Sequence, residues 1–581
     1  MAKGYRPVNR DQPFLFPPCL RDWLPPDHPV HLVITVVAEH LDTGAFHAGR
    51  RTGGPGAAGY DPDMLLALLV WAYAHQVTSS RRIEELCRAD VAFMLICGLD
   101  APDHVTVARF RAGFADAVAG FFAEVLRLCA ALGMGKLGVV ALDGTKVKAS
   151  APESANKSGD TLARLAAETV ARHGETDAAE DDLFGPGWRG DEVPQEAWSP
   201  RRRGERIAAA LAGLEAGRQA ADAGRQKAAD EHLADAAAGK PRAGRRPAGA
   251  DVAEAGLAVA RAIAAQQAKI DDWQARDAAA RAAGGKGLNR RTRPKSPASA
   301  YVRVREAEAE LEAARRRQSA AAARKAPGDK DRNGPGPVRN ITDPDSRLMP
   351  VRGGGFIQGY NAQNMASEDG LIIATRLTQD TGDVTWFEPM LAAAEAAAAL
   401  ITACRPASAD SPGQDTSSPG DGAPAGYRPG GEDGYAGPIG LLLADAGYCA
   451  EDNITAPGPA RLVATGKLRD LEKAARGAGD PGQPRQPHTT AMAALLRTSE
   501  GIAGYRRRGH IAETPHGNIK QNKGFRQLSV RGKPKASAEW TLACSVHNLF
   551  KAISTGHLTH AALGNLATRA GYPHSPRPVP A

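Results

Sequence analysis

Residues 137–150, LGVVALDGTKVKAS, decide the fold. Val139 to Leu142 form an unbroken apolar run of the kind that marks a strand buried on both faces. Asp143-Gly144 follow, and then Thr145, Val147 and Ala149 alternate with polar neighbours. The reading is a buried strand with an acid near its end. The pattern recurs far along the chain in PIGLLLADAGY, residues 438–448, another apolar strand ending in an acid, Asp445. Between them lie GFIQGYNAQNMAS and GLIIATRLTQ, two strand-like runs separated by Glu368-Asp369-Gly370, which is a hairpin signal. Thr385 to Ala403 reads as a helix, RLVAT after Asp445 as a further strand, and Met492 to Ile553 as a basic helical region.

Working outward, residues 1–130 read as an all-α N-terminal domain. Pro62 to Val77 is apolar nearly all round and should be its central helix. Ser80 is placed to cap the next helix, and a helix beginning near Thr106 carries Arg109 and Arg111 beside Phe110. Short helices joined by tight turns, with arginines on exposed faces, resemble a helix-turn-helix-like DNA-binding unit, with an ordinary helical bundle as the plainer reading. Residues 151–340 are alanine- and charge-rich and interrupted by Gly/Pro/Arg tracts, so they read as a helical or partly disordered insertion. Residues 405–435 form a low-complexity loop, and 561–581 a flexible tail. The sheet region is therefore assembled from 131–150 and 341–560. This order of elements fits an α/β fold, a mixed sheet flanked by helices, and it is the order of the ribonuclease-H-like fold.

The chain has 581 residues and a formal charge of +8. Its pI near 9.1 favours polyanionic partners, of which nucleic acid is the commonest. The start, MAKGYRPVNRDQPFLF, has no apolar core of a signal peptide, and the longest apolar run, Leu65 to Ala74, is too short to cross a bilayer. A cytoplasmic, nucleoid-associated protein without a membrane partner is expected. The seven cysteines form no C-x-x-C pair, which argues against zinc knuckles and against a disulfide framework.

Carboxylates at the ends of neighbouring strands can share a metal, but either aspartate taken singly reads rather as a turn or cap residue, and only a third ligand reverses that. The third candidate is Glu513, in YRRRGHIAETPHGNIKQNKGFRQLSVRG (505–532), the one acid between Tyr505 and Lys535. Around it lie Arg506, Arg507, Arg508, Lys520, Lys523, Arg526, Arg531, Lys533 and Lys535. Basic groups that hold phosphates beside an acid that completes a metal site would explain this composition better than a lone salt bridge. Pro515 complicates the placement, since Thr514 before it should avoid helical geometry. Either a helix starts near Pro515 or it is kinked there.

These motifs resemble the DDE transposases of bacterial insertion sequences, in the group named for insertion sequence eleven-eighty-two. PDMLLALLVWAYAHQVTSSRRIEELC, PDHVTVARFR, ALDGTKVKAS, TDPDSRLM, GYNAQ, LADAGYCAEDNI and the segment around Glu513 carry the resemblance. It implies that Asp143, Asp445 and Glu513 are the catalytic acids and hold two Mg²⁺ or Mn²⁺ ions. It also implies that Tyr505, Arg508 and Lys520 surround the glutamate, with the two cations on transposon-end phosphates. Four residues separate Arg508 from Glu513, one more than in the broader signature, so Arg507 could serve instead. Lys523, Arg526 and Arg531, with Arg109 and Arg111, complete the expected DNA contacts. The partners implied are double-stranded DNA, both terminal inverted repeats and target, and further copies of the chain in a homodimer or larger oligomer.

The chemistry expected is attack of water on the phosphodiester at each element end, followed by attack of the released 3′-hydroxyl on target DNA. The rival readings are a catalytically silent DNA-binding descendant and a nuclease of the same fold that cuts without joining. Weaker candidates are Asp343, Asp345 and Arg347, read as a capped turn before the hairpin rather than as contacts to DNA or the insertion, and Asn361 and Gln363, read as core-edge hydrogen bonding or as pointing at the active site. His510 and His516 read as phosphate-facing or exposed.

Overall fold

A computed structural model describes residues 8–10, 19–48, 58–168, 200–238, 250–323, 338–351, 354–406, 426–429, 435–476 and 486–568. Most of the loop read at 405–435, residues 569–581 of the expected tail and parts of the insertion fall outside them, and the start of the tail read at 561–581 is instead helical, within His560–Ala567. By contacts the chain divides into two compact units. One comprises Met1–Lys157, Gln195–Arg206 and Arg339–Ala581, and the other Ser158–Pro194 and Ile207–Val338.

The first unit is built on one mixed sheet. Its strands are β1 (Val139–Lys148), β2 (Arg347–Pro350), β3 (Phe356–Ser367), β4 (Ile372–Thr378), β5 (Leu441–Ala444) and β6 (Ala460–Val463). The order is β2-β3-β1-β5-β6, with β4 also on β3. β3 runs antiparallel to β1, β2 and β4, while β5 is parallel to both β1 and β6. β1 is therefore central, and its Val139 to Leu142 are at most 2% exposed. The hairpin at Gly370 forms as expected, with Gly370 at φ +83, a conformation that glycine adopts without strain. The strand around Asp143 is longer than the sequence suggested. It continues through Lys148 because Thr145, Lys146 and Val147 pair with Ala362, Asn361 and Tyr360 of the long β3. Asp143 consequently sits in mid-strand.

Helices cover the sheet. Phe387–Cys404 buries Phe387, Met390, Leu391, Ala394, Ala398 and Ile401, one stripe at helical spacing, against β4 and Val118–Ala131. Val384–Cys404 is the one stretch among the described residues long and apolar enough to cross a bilayer, and about a third of its apolar window is buried within the protein. Pro62–Ala74 is the central helix expected, with Met64 to Tyr73 all at most 4% exposed. The next helix is capped one residue earlier than expected, by Ser79, and the arginine-bearing helix His104–Gly113 is capped by Asp103. Pro62–Ala74 and Val118–Ala131 both pack on Lys533–Ser554. There the buried Tyr73 hydroxyl donates to Glu539 Oε1 at 2.8 Å, and Ser529 N donates to Oε2 at 2.8 Å. All seven cysteines are free.

The second unit is helical. Its Ala250–Ala282 and Val302–Ala323 pack against one another.

Candidate active site

Asp143 and Asp445 are brought together by strand register. Leu142 of β1 pairs with Ala444 of β5 in parallel, so the next residue of each strand is an acid. Asp445 ends β5 and caps a short helical turn, its Oδ1 accepting from Gly447 N at 2.9 Å.

The third acid arrives on a helix of unusual winding. Ser499–Arg508 continues into a π-helical stretch, Gly509–Glu513, then one α-turn, Thr514–Gly517, and a second π stretch, Asn518–Asn522. Of the two expectations at Pro515 the start is not seen; the helix runs through it with its winding altered on both sides, and Thr514 is helical at φ −61, ψ −47. The expectation that Thr514 avoids such geometry therefore fails. A wider turn relieves the clash between the proline ring and the preceding carbonyl, and it needs no N–H from Pro515. Gly509–Glu513 lies against β1 and β3, which carries Glu513 to the sheet while leaving its side chain 65% exposed.

Arg508 joins the three acids. Its Nη2 donates to Asp143 Oδ1 at 2.7 Å and lies 3.7 Å from Asp445 Oδ2, and its Nη1 is 4.0 Å from Glu513 Oε1. The acids are spread around this guanidinium and are not closed on one point. Among the described residues, only His47, Asp61 and Asp63 gather ligand atoms within 4.8 Å of one another. Local bonds explain that group: Asp61 caps Pro62–Ala74, and Asp63 Oδ1 is 3.0 Å from His47 Nε2.

The two aspartates differ electrostatically. Burial pushes the Asp143 carboxyl up, but the His516 hydrogen bond and the His516 and Arg508 charges outweigh it and hold Asp143 below the usual range. Burial dominates at Asp445 and raises it, with Asp143 adding to the effect and Arg508 opposing it. His516, read from sequence as phosphate-facing or exposed, is instead 7% exposed, and its Nδ1 lies 3.4 Å from Asp143 Oδ2. His510 is exposed.

The basic residues divide into two sets. Lys520 turns inward: its Nζ donates to Lys146 O at 2.7 Å and to Thr145 Oγ1, and burial lowers its pKa to about 8. Lys523 is 8% exposed with its ammonium 4.7 Å from the centre of the Phe550 ring, and Arg111 is 8% exposed with a bond to Thr78 O. Tyr505 is buried beside Arg508. Arg109, Arg526 and Arg531 are exposed, and Arg507 is part-exposed and paired with Glu368. Of the residues expected to meet DNA, Arg109, Arg526 and Arg531 are the exposed ones, and Arg507 has its charge met by Glu368.

The TDPDSRLM turn is structural. Asp343 is fully buried and accepts from Tyr360 Oη, and Asp345 Oδ2 accepts from Lys533 N at 2.8 Å at the start of Lys533–Ser554. Arg347 bonds three backbone carbonyls of the same turn.

A carboxylate that the sequence reading passed over completes the neighbourhood. Asp383 lies in the segment between β4 and Phe387–Cys404, and its Oδ1 accepts from Asn361 Nδ2 and from Gln363 Nε2, both at 2.7 Å. Two amides alternating on one strand were the available signal, because buried amides need partners.

Residues 18–113 match the family described as Transposase domain (DUF772), and residues 482–553 match Transposase DDE domain. No curated protein and no solved structure gives a significant match. The two matches bracket the sheet region and indicate a DNA transposase of the DDE type. Such enzymes generally depend on divalent metal, and DNA is the partner they imply.

Proposed function

We propose that the chain binds the ends of an insertion sequence and there cuts and rejoins DNA, with Asp143, Asp445 and Glu513 as the metal-holding acids of a ribonuclease-H-like domain. The observation that carries this reading is the meeting of the three acids at one guanidinium, although they are far apart in sequence. The strand order, with three antiparallel neighbours followed by two strands parallel to β1, supports the fold.

The residues present fit divalent cations. Their donors are hard carboxylate oxygens, and a positive group already stands among them in Arg508. Bound there, a pair of such ions would activate the attacking oxygen and neutralise charge developing on the leaving one. The chain's own residues supply the rest. Exposed Glu513 faces the side from which a duplex can approach. Lys520, held at the rim of β1, supplies a positive charge for a phosphate beside Asp143. Arg526 and Arg531 extend that charge outward, and Arg109 offers a further contact in the helical region. His516 holds Asp143 ionised and oriented. Two DNA ends must be cut and joined together, so a dimer or larger assembly on DNA is part of the proposal.

The test replaces each acid by its amide. Asp143→Asn, Asp445→Asn and Glu513→Gln should bind end DNA as the parent does and lose cleavage in Mg²⁺, and retained cleavage refutes the assignment. Product analysis of the parent with target DNA separates strand transfer from simple cutting.

A further inference from the structure

The proposed site contains more carboxylate chemistry than its three acids. Asp383 belongs to the same cluster by position: the point that a Cβ on Gly447 would occupy is 3.0 Å from Asp383 Oδ2 and also 3.0 Å from Asp445 Oδ1. On the other side, a Cβ on Gly144, the residue after Asp143, would lie 2.7 Å from Asp383 Oδ1 and 2.8 Å from Gln363 Nε2. Glycine at both places is what lets this carboxylate approach the two strand-borne acids, since any larger side chain would collide with it.

The acid is also held firmly. Asn361 and Gln363, both fully buried, donate to Oδ1 alone. Lys146 Nζ donates to Thr381 O at 2.9 Å, and Asn453 Nδ2 donates to Val384 O at 2.8 Å, so the segment is pinned on both sides of Asp383. With one oxygen saturated by two amides, the other is left toward Asp445. Asn361 Oδ1 is itself buried without a hydrogen-bond partner, an acceptor left over beside the same carboxylate. Lys146 Nζ stands 3.9 Å from Asp383 Oδ1, an ion pair too long for a hydrogen bond, and leaves Oδ2 and the Asn361 acceptor for a further cation.

We propose that Asp383 is a fourth acid of the cation site, acting with Asp445 through Oδ2 while Asn361 and Gln363 fix its orientation. The inference rests on the reading of Asp143, Asp445 and Glu513 given above and adds a ligand to it. Two amides spent on orienting one carboxylate follow the usual support given to metal-binding groups.

Mn²⁺ binding to the full chain, followed by calorimetry or by loss of the free-ion paramagnetic signal, tests this without any DNA reaction. Asp383→Asn keeps an acceptor for both amides and should fold with an unchanged melting temperature while weakening Mn²⁺ binding by about tenfold or more. Asp383→Glu should recover most of that loss. Gln363→Met removes one of the two amides that orient Asp383 and should weaken Mn²⁺ binding about tenfold, which keeps the test open if Asp383→Asn does not fold. Parental affinity in Asp383→Asn or in Gln363→Met overturns the proposal. If Asp143→Asn and Asp445→Asn lose Mn²⁺ while Asp383→Asn does not, the three-acid reading stands and only the fourth acid falls. If none of the aspartate variants alters Mn²⁺ binding, both fail.

Discussion

Arg508 Nη2 donates to Asp143 Oδ1 at 2.7 Å and stands 3.7 Å from Asp445 Oδ2, so a buried guanidinium serves as the counter-charge of both strand-borne acids. Removing one partner of such a group leaves the other charge uncompensated, at a cost of about 3–5 kcal/mol. Arg508→Ala should therefore lower the melting temperature. Mn²⁺ should raise it by more than it raises the parent's, because the added ion replaces the missing charge. An equal Mn²⁺ effect in the two proteins would separate Arg508 from the cation site.

Pro515 sets the winding on which Glu513 rides. With alanine there, the missing N–H returns and the ring clash disappears, so a regular helix can replace the two π stretches and rotate Glu513 away. Pro515→Ala should melt at or above the parental temperature yet cleave end DNA on the order of a hundredfold more slowly. Parental cleavage rates would show that the winding is not needed.

Lys520 gives an alkaline limit. Its pKa, lowered by burial to about 8, means that the free protein loses this charge as pH rises through that value. Binding of end DNA should weaken between pH 7.5 and 9, a window set by that pKa. Lys520→Arg, which stays charged, should move the decline to higher pH.

His547 gives an acid limit to stability. Burial lowers its pKa to about 4, and it is bonded at Nε2 to Gly370 O. Above the unfolded value of about 6.5, both states are neutral and the residue adds no pH dependence. As pH falls from there toward 4, only the unfolded chain gains the proton, so stability declines by up to about 3 kcal/mol. Denaturant titrations at pH 7 and pH 4.5 should show a smaller drop for His547→Gln than for the parent.

The bond from Tyr73 to Glu539 ties Pro62–Ala74 to Lys533–Ser554. Tyr73→Phe should cost about 1 kcal/mol, and Glu539→Ala more, since it also strands the Ser529 and Val530 amides. Urea unfolding compares the two, and equal losses would contradict the network.

The sheet was readable in the sequence because β1 and β5 carry apolar runs that only a strand buried on both faces needs, and each run stops at an aspartate. Glu513 was readable as the lone acid in a basic stretch. What the residues did not disclose depends on partners distant along the chain. A lysine that reaches Thr145 and a lysine that faces solvent look alike in composition, so Lys520 and Lys523 could not be told from Arg526. His516 and Asp383 escaped for the same reason, because their neighbours come from other elements. The path through Pro515 was hidden because local preference argues against a helical Thr514, and tertiary packing on β1 and β3 prevails.

Asn340 closes the place where the first unit's chain departs and resumes. Its Nδ2 donates to Pro152 O at 2.8 Å and reaches Asn156 Oδ1 at 3.2 Å, clasping the outgoing and incoming threads together. A staple at that doorway fixes where the returning thread re-enters the first unit, ahead of the stretch in which β3 takes up its register on β1.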